Sequence, residues 1–274
     1  MVQTASVPTA HVNGIDLHYV VEGSGPRVLL FNGSGATVES AAPMLSALTP
    51  HFEVLLHDQR CLGLSTVTDA VPTMADYAAD GAALLDHLGW ESVRVFGISF
   101  GGMVAQEVIA RRPDLVQHLV LCGTSPAFGR ADGEWQRQFV EQRVAPLTAG
   151  QTMAEVARQL VPGMAGPKAL PEGLRLAEHC MAGVSPGTYR RALEALVTFD
   201  RRADLALIAA PTLLVAGEND PNAPPDVMRK MSERILGSRL HVMAGIGHLM
   251  NLEAPDDFDQ LLIEFLRDNP AHVR

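Results

Sequence analysis

The organisation of the chain follows from residues 93–102, which read V-R-V-F-G-I-S-F-G-G. The first of these residues alternate β-branched and apolar side chains, which indicates a strand, and an apolar run over 103–110 indicates a helix. Ser99 therefore lies at a sharp turn between strand and helix, the arrangement called a nucleophile elbow. Gly97 and Gly101 leave room for the chain to double back close to the serine. We predict that Ser99 is a nucleophile.

The same turn predicts a donor for a developing negative charge. A strained turn projects the serine oxygen above the edge of the sheet and leaves the amide of Phe100 at the N-terminus of the helix. An amide in that position can donate to an oxyanion. The pattern G-x-S-x-G is short enough to occur by chance, so the remaining catalytic groups must come from elsewhere in the chain.

Composition disfavours several classes of function. The 274 residues carry a formal net charge of −10, with Lys and Arg scattered, which disfavours nucleic acids and anionic membranes as partners. No run of about 18 apolar residues predicts a transmembrane helix, and no secretory signal is visible at the N-terminus. Cys61, Cys122 and Cys180 form neither a disulfide framework nor a metal-ligand pattern. We expect a cytoplasmic protein without a bound metal.

Strands alternate with helices through most of the chain, which predicts an α/β fold. A hairpin is expected at 11–22, and further strands are expected at 27–31, 52–56, 116–122, 211–216 and 239–243. Helices are expected at 39–48, after an N-cap at Thr73, and from Pro255 onwards. Continuous apolar strands between helices indicate a mainly parallel sheet with helices on both faces. Ligands of such sheets bind at the carboxyl ends of the strands.

The alternation stops between residues 125 and 200, where no strand is predicted. This region is helical and rich in Met, Ala, Arg and Gln. It is broken by five prolines, Pro146, Pro162, Pro167, Pro171 and Pro186. We interpret 125–200 as a helical cap inserted into an α/β core that consists of 1–124 and 201–274.

A serine hydroxyl needs a base within hydrogen-bond reach, and His248 is the best candidate. It lies in G-I-G-H-L-M-N, a glycine-rich loop directly after the last predicted strand, and so at the carboxyl edge of the sheet. A structural role is favoured for the other histidines, which lie on predicted helices, strands or loop starts or near the chain ends: His11, His18, His51, His57, His87, His118, His179, His241 and His272.

The imidazole in turn needs a carboxylate that fixes its tautomer. The sequence A-G-E-N-D at 216–220 follows the preceding strand, and Asp220 lies far enough past the strand end to reach the next loop. Glu218 is the alternative, as a surface or supporting group, and Asp226 is expected to cap the following helix. The order Ser99, Asp220, His248 separates one hydrolase fold from other serine hydrolases.

An oxyanion hole needs a second donor besides the amide of Phe100. The loop after the third strand is the expected source, and we choose the amide of Ser34. The side chain of Asn32 is expected to bond within that loop.

With these residues assigned, the chain resembles the α/β-hydrolase superfamily over essentially its whole length. Members usually carry His-Gly and a bulky residue where this chain has Asn32-Gly33-Ser34. They also often carry D-x-R-G-x-G-x-S where this chain has D-Q-R-C-L-G-L-S, with Cys61 in place of a glycine. The resemblance implies an eight-stranded, mostly parallel sheet with a cap between strands six and seven. It also implies that Asp58 and Arg60 brace their loop.

The asparagine of the oxyanion loop, together with G-I-S-F-G-G-M-V-A-Q at the elbow, looks most like the 3-oxoadipate enol-lactonase branch, which hydrolyses a small anionic lactone. Many carboxylesterases share these residues. The favoured reading is a cofactor-independent serine hydrolase that cleaves a small-molecule ester or lactone through an acyl-enzyme. A carbon–carbon bond hydrolase, a perhydrolase-type relative, a ligand-binding protein on this fold and a homodimeric state stay open. Haloalkane dehalogenases and typical epoxide hydrolases need an aspartate where this chain has Ser99.

The cap is expected to roof the pocket above Ser99 and to select the substrate. Its Met and Leu content predicts a largely apolar lining. Five arginines are candidates for pairing with a substrate carboxylate, and the sequence does not choose among them: Arg130, Arg137, Arg143, Arg190 and Arg191.

Overall fold

The computed structural model describes residues 8–128 and 133–268, in which eight strands form one sheet in the order β1-β2-β4-β3-β5-β6-β7-β8. The strands are β1 (Thr9–Val12), β2 (Ile15–Gly23), β3 (Arg27–Phe31), β4 (Glu53–His57), β5 (Val93–Ile98), β6 (Val116–Cys122), β7 (Thr212–Gly217) and β8 (Arg239–Met243). Strand β2 pairs antiparallel with β1 and with β4, and all other pairs are parallel. The expected mainly parallel sheet with an antiparallel edge is confirmed.

Ten α-helices accompany the sheet within the described residues. They are α1 (Ala42–Leu48), α2 (Met74–Leu88), α3 (Phe100–Arg111), α4 (Glu134–Thr148), α5 (Met153–Met164), α6 (Pro171–Ala182), α7 (Pro186–Leu196), α8 (Pro225–Ser232), α9 (Met250–Glu253) and α10 (Pro255–Arg267). None of the described helices is long and apolar enough to span a bilayer.

Successive residues of the buried strands enter opposite apolar layers, because side chains alternate across a strand. On β3, Leu29 and Phe31 join the layer that contains α2, α3 and α8, whereas Val28 and Leu30 join the layer that contains α1 and α10. All four side chains are fully buried. Burial of each contributes about 1.5–3 kcal/mol, so the two-sided packing fixes which helices cover which face.

Helices α2 and α8 begin in different ways, α2 with a side-chain cap and α8 with a proline. Thr73 and Asp76 form the expected capping box at α2: the Thr73 hydroxyl accepts the amide of Asp76 at 3.2 Å, and the Asp76 carboxylate accepts the amide of Thr73 at 2.7 Å. The expected cap role of Asp226 is wrong. Helix α8 begins at Pro225, whose fixed φ suits the first helical position, and Asp226 lies inside the first turn.

Helices α4 to α7 lie between β6 and β7, as the cap interpretation requires. They share an apolar cluster that includes Val144, Val156 and Leu193. Among the described residues of 125–200, the strand-like pairing is a single bridge between Ala127 and Asp200, at the base of the cap. The domain boundaries after residues 124 and 200 stay predictions.

The prolines of the cap do not all break helices. Pro171 and Pro186 begin α6 and α7, where a missing amide proton costs nothing. The helix breaks predicted at Pro146 and Pro162 are wrong, because both prolines lie inside the last turns of α4 and α5. Those helices continue because Val144 and its neighbours pack into the cap cluster, and tertiary packing overrides the local preference.

Candidate active site

Ser99 lies at the strained turn between β5 and α3. Its backbone has φ 54° and ψ −118°, a positive-φ conformation that residues with a side chain rarely adopt and that costs them ~1–3 kcal/mol. A Cβ on Gly97 would lie 2.3 Å from the carbonyl oxygen of Gly101, and one on Gly101 would lie 2.1 Å from that of Phe31. Both positions therefore require glycine. The turn is held by the amide of Ser99, which donates to the carbonyl of Cys122 at 2.8 Å.

The structure brings Ser99, His248 and Asp220 into one hydrogen-bonded line. The Oγ of Ser99 lies 2.8 Å from Nε2 of His248, and Nδ1 of His248 lies 2.8 Å from Oδ2 of Asp220. His248 is 6% exposed and Asp220 is 3% exposed, so water competes little for these bonds. The residues are separated by 149 and 28 positions along the chain, and this geometry can pass a proton from the hydroxyl to the imidazole.

The second oxygen of Asp220 fixes the orientation of the carboxylate. Oδ1 accepts the amides of Asn222 at 2.7 Å and Ala223 at 3.0 Å, which leaves Oδ2 directed at the imidazole. Glu218 is exposed and instead accepts the amide of Gly245 at 2.8 Å. Glu218 thus supports the loop before His248 and does not contact the imidazole.

A fully buried carboxylate that the sequence analysis missed holds the loop of His248. Glu253 accepts the amide of Gly247 at 2.7 Å and that of Leu249 at 2.8 Å. It also accepts the amide of Gly166, from the segment after α5, at 2.8 Å. The signal in the sequence was an acidic residue in the short apolar run that follows the glycine-rich loop.

The predicted oxyanion donors, Ser34 and Phe100, both line the pocket above Ser99. Within the described chain, neither backbone amide donates to a protein acceptor, so both can donate to a ligand. Asn32 bonds inside its loop as expected, from Nδ2 to the carbonyl of Thr37 at 2.9 Å. Gln59 anchors the same loop by donating from Nε2 to the carbonyl of Asn32 at 2.9 Å. The assignment of Ser34 as the second donor stays a prediction.

Asp58 braces the loop formed by residues 58–65, as the resemblance implied. Its carboxylate accepts the amide of Val38 at 2.8 Å and that of Leu64 at 2.9 Å, and it lies 2.7 Å from Nδ1 of His18. Arg60 instead pairs with Asp80 on α2, at 2.5 and 2.6 Å, and so ties the loop to a core helix.

Cys61, which stands where relatives carry a glycine, has φ 68°. The backbone at that position keeps the left-handed conformation that glycine adopts without strain. Cys61 therefore adopts a backbone conformation that favours glycine, although it carries a side chain.

The pocket above Ser99 is a cavity of about 380 Å³ between the sheet edge and the cap. Its lining is mainly apolar and comes from β5, α3 and all four cap helices. Of the five candidate arginines, Arg143 lines the pocket, Arg137, Arg190 and Arg191 are not among its lining residues, and Arg130 lies outside the described residues. Cys180 also lines the pocket, but burial raises its pKa to about 11 and keeps it a thiol.

The described residues contain no group of three His, Cys, Asp or Glu side chains that is arranged to bind a metal ion. Two further histidines, His57 and His118, are buried as structural residues. Burial lowers the pKa of each to about 4, so both are neutral near pH 7. Their rings pack against Phe31 and Phe265, which agrees with the structural role assigned to them from the sequence.

Comparison with known proteins supports the same fold. A chain that carries the provisional name carbamate hydrolase RutD, from Azorhizobium caulinodans, is 28% identical over 94% of this chain and 98% of its own length. The 3-oxoadipate enol-lactonase 2 of Acinetobacter baylyi is 28% identical over 92% of this chain and 93% of its own. An enol-lactonase structure from Burkholderia xenovorans matches with a TM-score of 0.86 and 26% identity, over 95% of this chain and all of that one.

The family comparison covers most of the chain. The family model for the alpha/beta hydrolase fold matches residues 26–255, which include β3 to β8, the cap and all three residues of the hydrogen-bonded line. The chain therefore belongs to the alpha/beta hydrolase fold family.

Proposed function

We propose that the protein hydrolyses a carboxylic ester or lactone through an acyl-enzyme on Ser99, without a cofactor. The coarser statement, that the chain is a hydrolase acting on ester bonds, follows from its family and from its enol-lactonase relatives. The observation that carries the finer proposal is the line from Ser99 through His248 to Asp220, with 2.8 Å between each pair of atoms, at the floor of an apolar pocket.

Each group in the line has one task in the first half of the reaction. The oxygen of Ser99 attacks the carbonyl carbon while Nε2 of His248 takes the hydroxyl proton. Asp220 accepts a hydrogen bond from Nδ1–H, which keeps the proton on that nitrogen and leaves Nε2 free to act as base. His248 then protonates the departing alkoxide. In a lactone, that oxygen remains attached to the acyl group.

The second half of the reaction uses the same residues, with water in place of Ser99 as the nucleophile. Water enters beside His248, which removes its proton as the oxygen attacks the acyl carbon. His248 then returns that proton to the oxygen of Ser99 as its bond to the acyl carbon breaks, which releases the carboxylic acid and restores the serine hydroxyl. In both halves the amides of Ser34 and Phe100 would donate to the oxyanion. Loss of one such donor typically raises the barrier by about 3 kcal/mol.

Carbon–carbon bond hydrolysis and peracid formation would use the same three side chains, and binding without turnover would use the same pocket. No described residue in the lining specifically favours any of these, so ester or lactone hydrolysis is the proposal. A cytoplasmic location and a homodimeric state also stay predictions.

The test is a pre-steady-state measurement with p-nitrophenyl acetate. The wild-type protein should release a burst of p-nitrophenol close to one equivalent per active site, and Ser99→Ala should give none. A fluorophosphonate probe should add its mass to the peptide that contains Ser99. Ser46→Ala, which removes an exposed hydroxyl on α1, is the matched control and should behave as wild type. Equal rates of p-nitrophenol release from wild type and Ser99→Ala would contradict the proposal.

A further inference from the structure

Several polar side chains that line the pocket above Ser99 are already bonded within the protein. Three hydroxyls and one amide group of the lining donate to backbone carbonyls, those of Ser40, Thr124, Ser125 and Asn32. Asn222 and Asn251 also line the pocket. Over the part of the chain that the structure describes, the amide group of neither side chain has a hydrogen-bond partner. Both groups are therefore available to a ligand.

Asn222 and Asn251 lie on the two loops that carry the proposed base and its carboxylate. Asn222 follows Asp220 by two positions, and Asn251 follows His248 by three. Because Nε2 of His248 must protonate the departing oxygen, an ester bound for hydrolysis places its alcohol half on this side of Ser99. Asn222 is exposed and Asn251 is half-buried, so this side is also where the pocket meets solvent.

The backbone at both positions is held by hydrogen bonds. The amide N–H of Asn222 donates to Oδ1 of Asp220 at 2.7 Å. Asn251 belongs to α9, where the amide of Leu252 donates to the carbonyl of Leu249 at 2.8 Å. Only rotation of the two side chains has to be restricted when a ligand binds, which lowers the entropic cost of binding.

The two amide groups match a neutral ligand that carries hydroxyl groups. Each amide has an acceptor oxygen and an NH2 donor, and a hydroxyl group can both donate to it and accept from it. The other described residues that line the pocket from 221–223 and 248–252 are Pro221, Ala223, His248, Leu249 and Leu252. None of these is Asp, Glu, Lys or Arg, so a charged alcohol gains no ion pair from them.

We infer that Asn222 and Asn251 bind the alcohol half of the substrate, and that this alcohol carries hydroxyl groups beyond the one that is esterified. The inference rests on the proposed function and narrows it to esters of small polyhydroxylated alcohols. In the reaction, the bond between the acyl carbon and the alcohol oxygen breaks as His248 protonates that oxygen, and the acyl group stays on Ser99. The released alcohol leaves through the open end of the pocket.

The experiment compares two butyrate esters whose alcohols share a three-carbon skeleton. 1-Butyrylglycerol releases an alcohol with two further hydroxyl groups, and propyl butyrate releases one without them. The ratio of kcat/KM for the glyceryl ester to kcat/KM for the propyl ester is measured by titration of the released acid. The ratio should fall about threefold in Asn222→Leu and in Asn251→Leu, and about tenfold in the double variant, as expected for loss of neutral hydrogen bonds.

Asn219→Leu is the matched control. It makes the same substitution at an exposed asparagine of the Asp220 loop that does not line the pocket, and it should keep the wild-type ratio. The burst of p-nitrophenol from p-nitrophenyl butyrate counts the active sites in each preparation, so an unfolded variant is recognised. An unchanged ratio in single variants that give a full burst would overturn the inference and leave ester hydrolysis standing. Wild-type protein that gives no burst would overturn the proposed function and the inference with it.

Acyl transfer gives a second measurement, on wild-type protein and with a constant leaving group. p-Nitrophenyl butyrate is cleaved in the presence of glycerol and 1-propanol at equal molar concentration, and the two butyrate esters that form are quantified. The acceptor hydroxyl gives its proton to His248 as its oxygen bonds to the acyl carbon, and the oxygen of Ser99 regains that proton as it leaves. After correction for the two primary hydroxyls of glycerol, the glyceryl ester should exceed the propyl ester about threefold to tenfold. Equal yields of the two esters, or no glyceryl ester, would overturn the inference.

Discussion

Glu253 brackets His248: its two carboxylate oxygens accept the backbone amides immediately before and after the histidine, at 2.7 and 2.8 Å. The side chain is fully buried, and among the described residues its hydrogen bonds go to backbone amides and not to Ser99 or the imidazole. Its action on the chemistry therefore runs through the backbone of the loop, which makes Glu253 a positioning residue.

Glu253→Gln should lower both stability and turnover. The amide keeps one acceptor oxygen but turns an NH2 group towards amide donors, which leaves buried groups unpaired and should cost about 3 kcal/mol of unfolding free energy. The misplaced imidazole should reduce kcat about tenfold to hundredfold, with KM changed less than about threefold. Urea unfolding and steady-state kinetics measure the two effects. Glu264→Gln, at an exposed position of α10, is the control.

The kcat values of wild type and Glu253→Gln should be compared under conditions in which both proteins are folded, as judged by circular dichroism. A fall in kcat that tracks the unfolded fraction would reduce Glu253 to a purely structural residue.

Asp220→Asn should reduce kcat by about 10⁴-fold while the protein stays folded. The asparagine oxygen can still accept the amides of Asn222 and Ala223, but its NH2 group would face Nδ1 and favour the wrong tautomer. Steady-state hydrolysis of p-nitrophenyl acetate measures the loss. Asp226→Asn, an exposed aspartate on the next helix, should keep the wild-type rate. A loss of less than about tenfold in Asp220→Asn would be incompatible with an orienting role.

The same substitution at two helical glycines should have opposite effects. Gly101→Ala places a Cβ 2.1 Å from the carbonyl oxygen of Phe31, so the elbow must open, and the protein should lose at least about 3 kcal/mol of unfolding free energy together with its activity. Gly163→Ala, on an exposed face of α5 with no heavy atom within 4 Å of the new Cβ, should gain ~0.5–1 kcal/mol. Urea midpoints measure both. A tolerated Gly101→Ala would contradict the close approach at the elbow.

Asp259 should make stability fall as the pH rises. Its carboxyl is buried on α10, and burial, with a smaller contribution from Asp256, raises its pKa to about 7. Between pH 4 and 7 the unfolded chain releases this proton while the folded protein keeps it, so the stabilisation present at low pH is lost towards neutrality. The wild-type unfolding free energy should therefore drop by about 2 kcal/mol more over that range than that of Asp259→Asn, allowing for residual solvent contact.

Unfolding in urea at a series of pH values gives the two slopes. Asp257→Asn, on the exposed side of the same helix, should keep the wild-type slope. Parallel curves for wild type and Asp259→Asn would contradict the perturbed carboxyl.

The parts of the fold that the sequence predicted well are those with local causes. The elbow could be located because a strand pattern, two glycines and a helix pattern meet at Ser99. The loops of Asp220 and His248 follow strand ends, and parallel strands bring their carboxyl ends to one edge. Helix ends inside the cap were harder, because Pro146 is tolerated through packing that no short window contains.

The missing parts of the site depend on contacts between distant segments. Glu253 meets Gly166 across 87 positions, and His18 meets Asp58 across 40. Neither pairing leaves a spacing pattern that could be recognised. Which of the five candidate arginines lines the pocket depends on the direction of a side chain on α4. Helical periodicity alone does not decide that direction, because the cap carries polar residues on several faces.

One backbone hydrogen bond joins the roof of the pocket to the proposed base: the amide of His248 donates to the carbonyl of Met164, the last residue of α5, at 2.7 Å. Met164 also lines the cavity. We expect an acyl group that is too large for the cavity, and so pushes the end of α5 outward, to draw the imidazole away from the hydroxyl through this bond. We therefore expect a molecule too large for the cavity to lose affinity and also to lose the alignment that the proposed proton transfer needs.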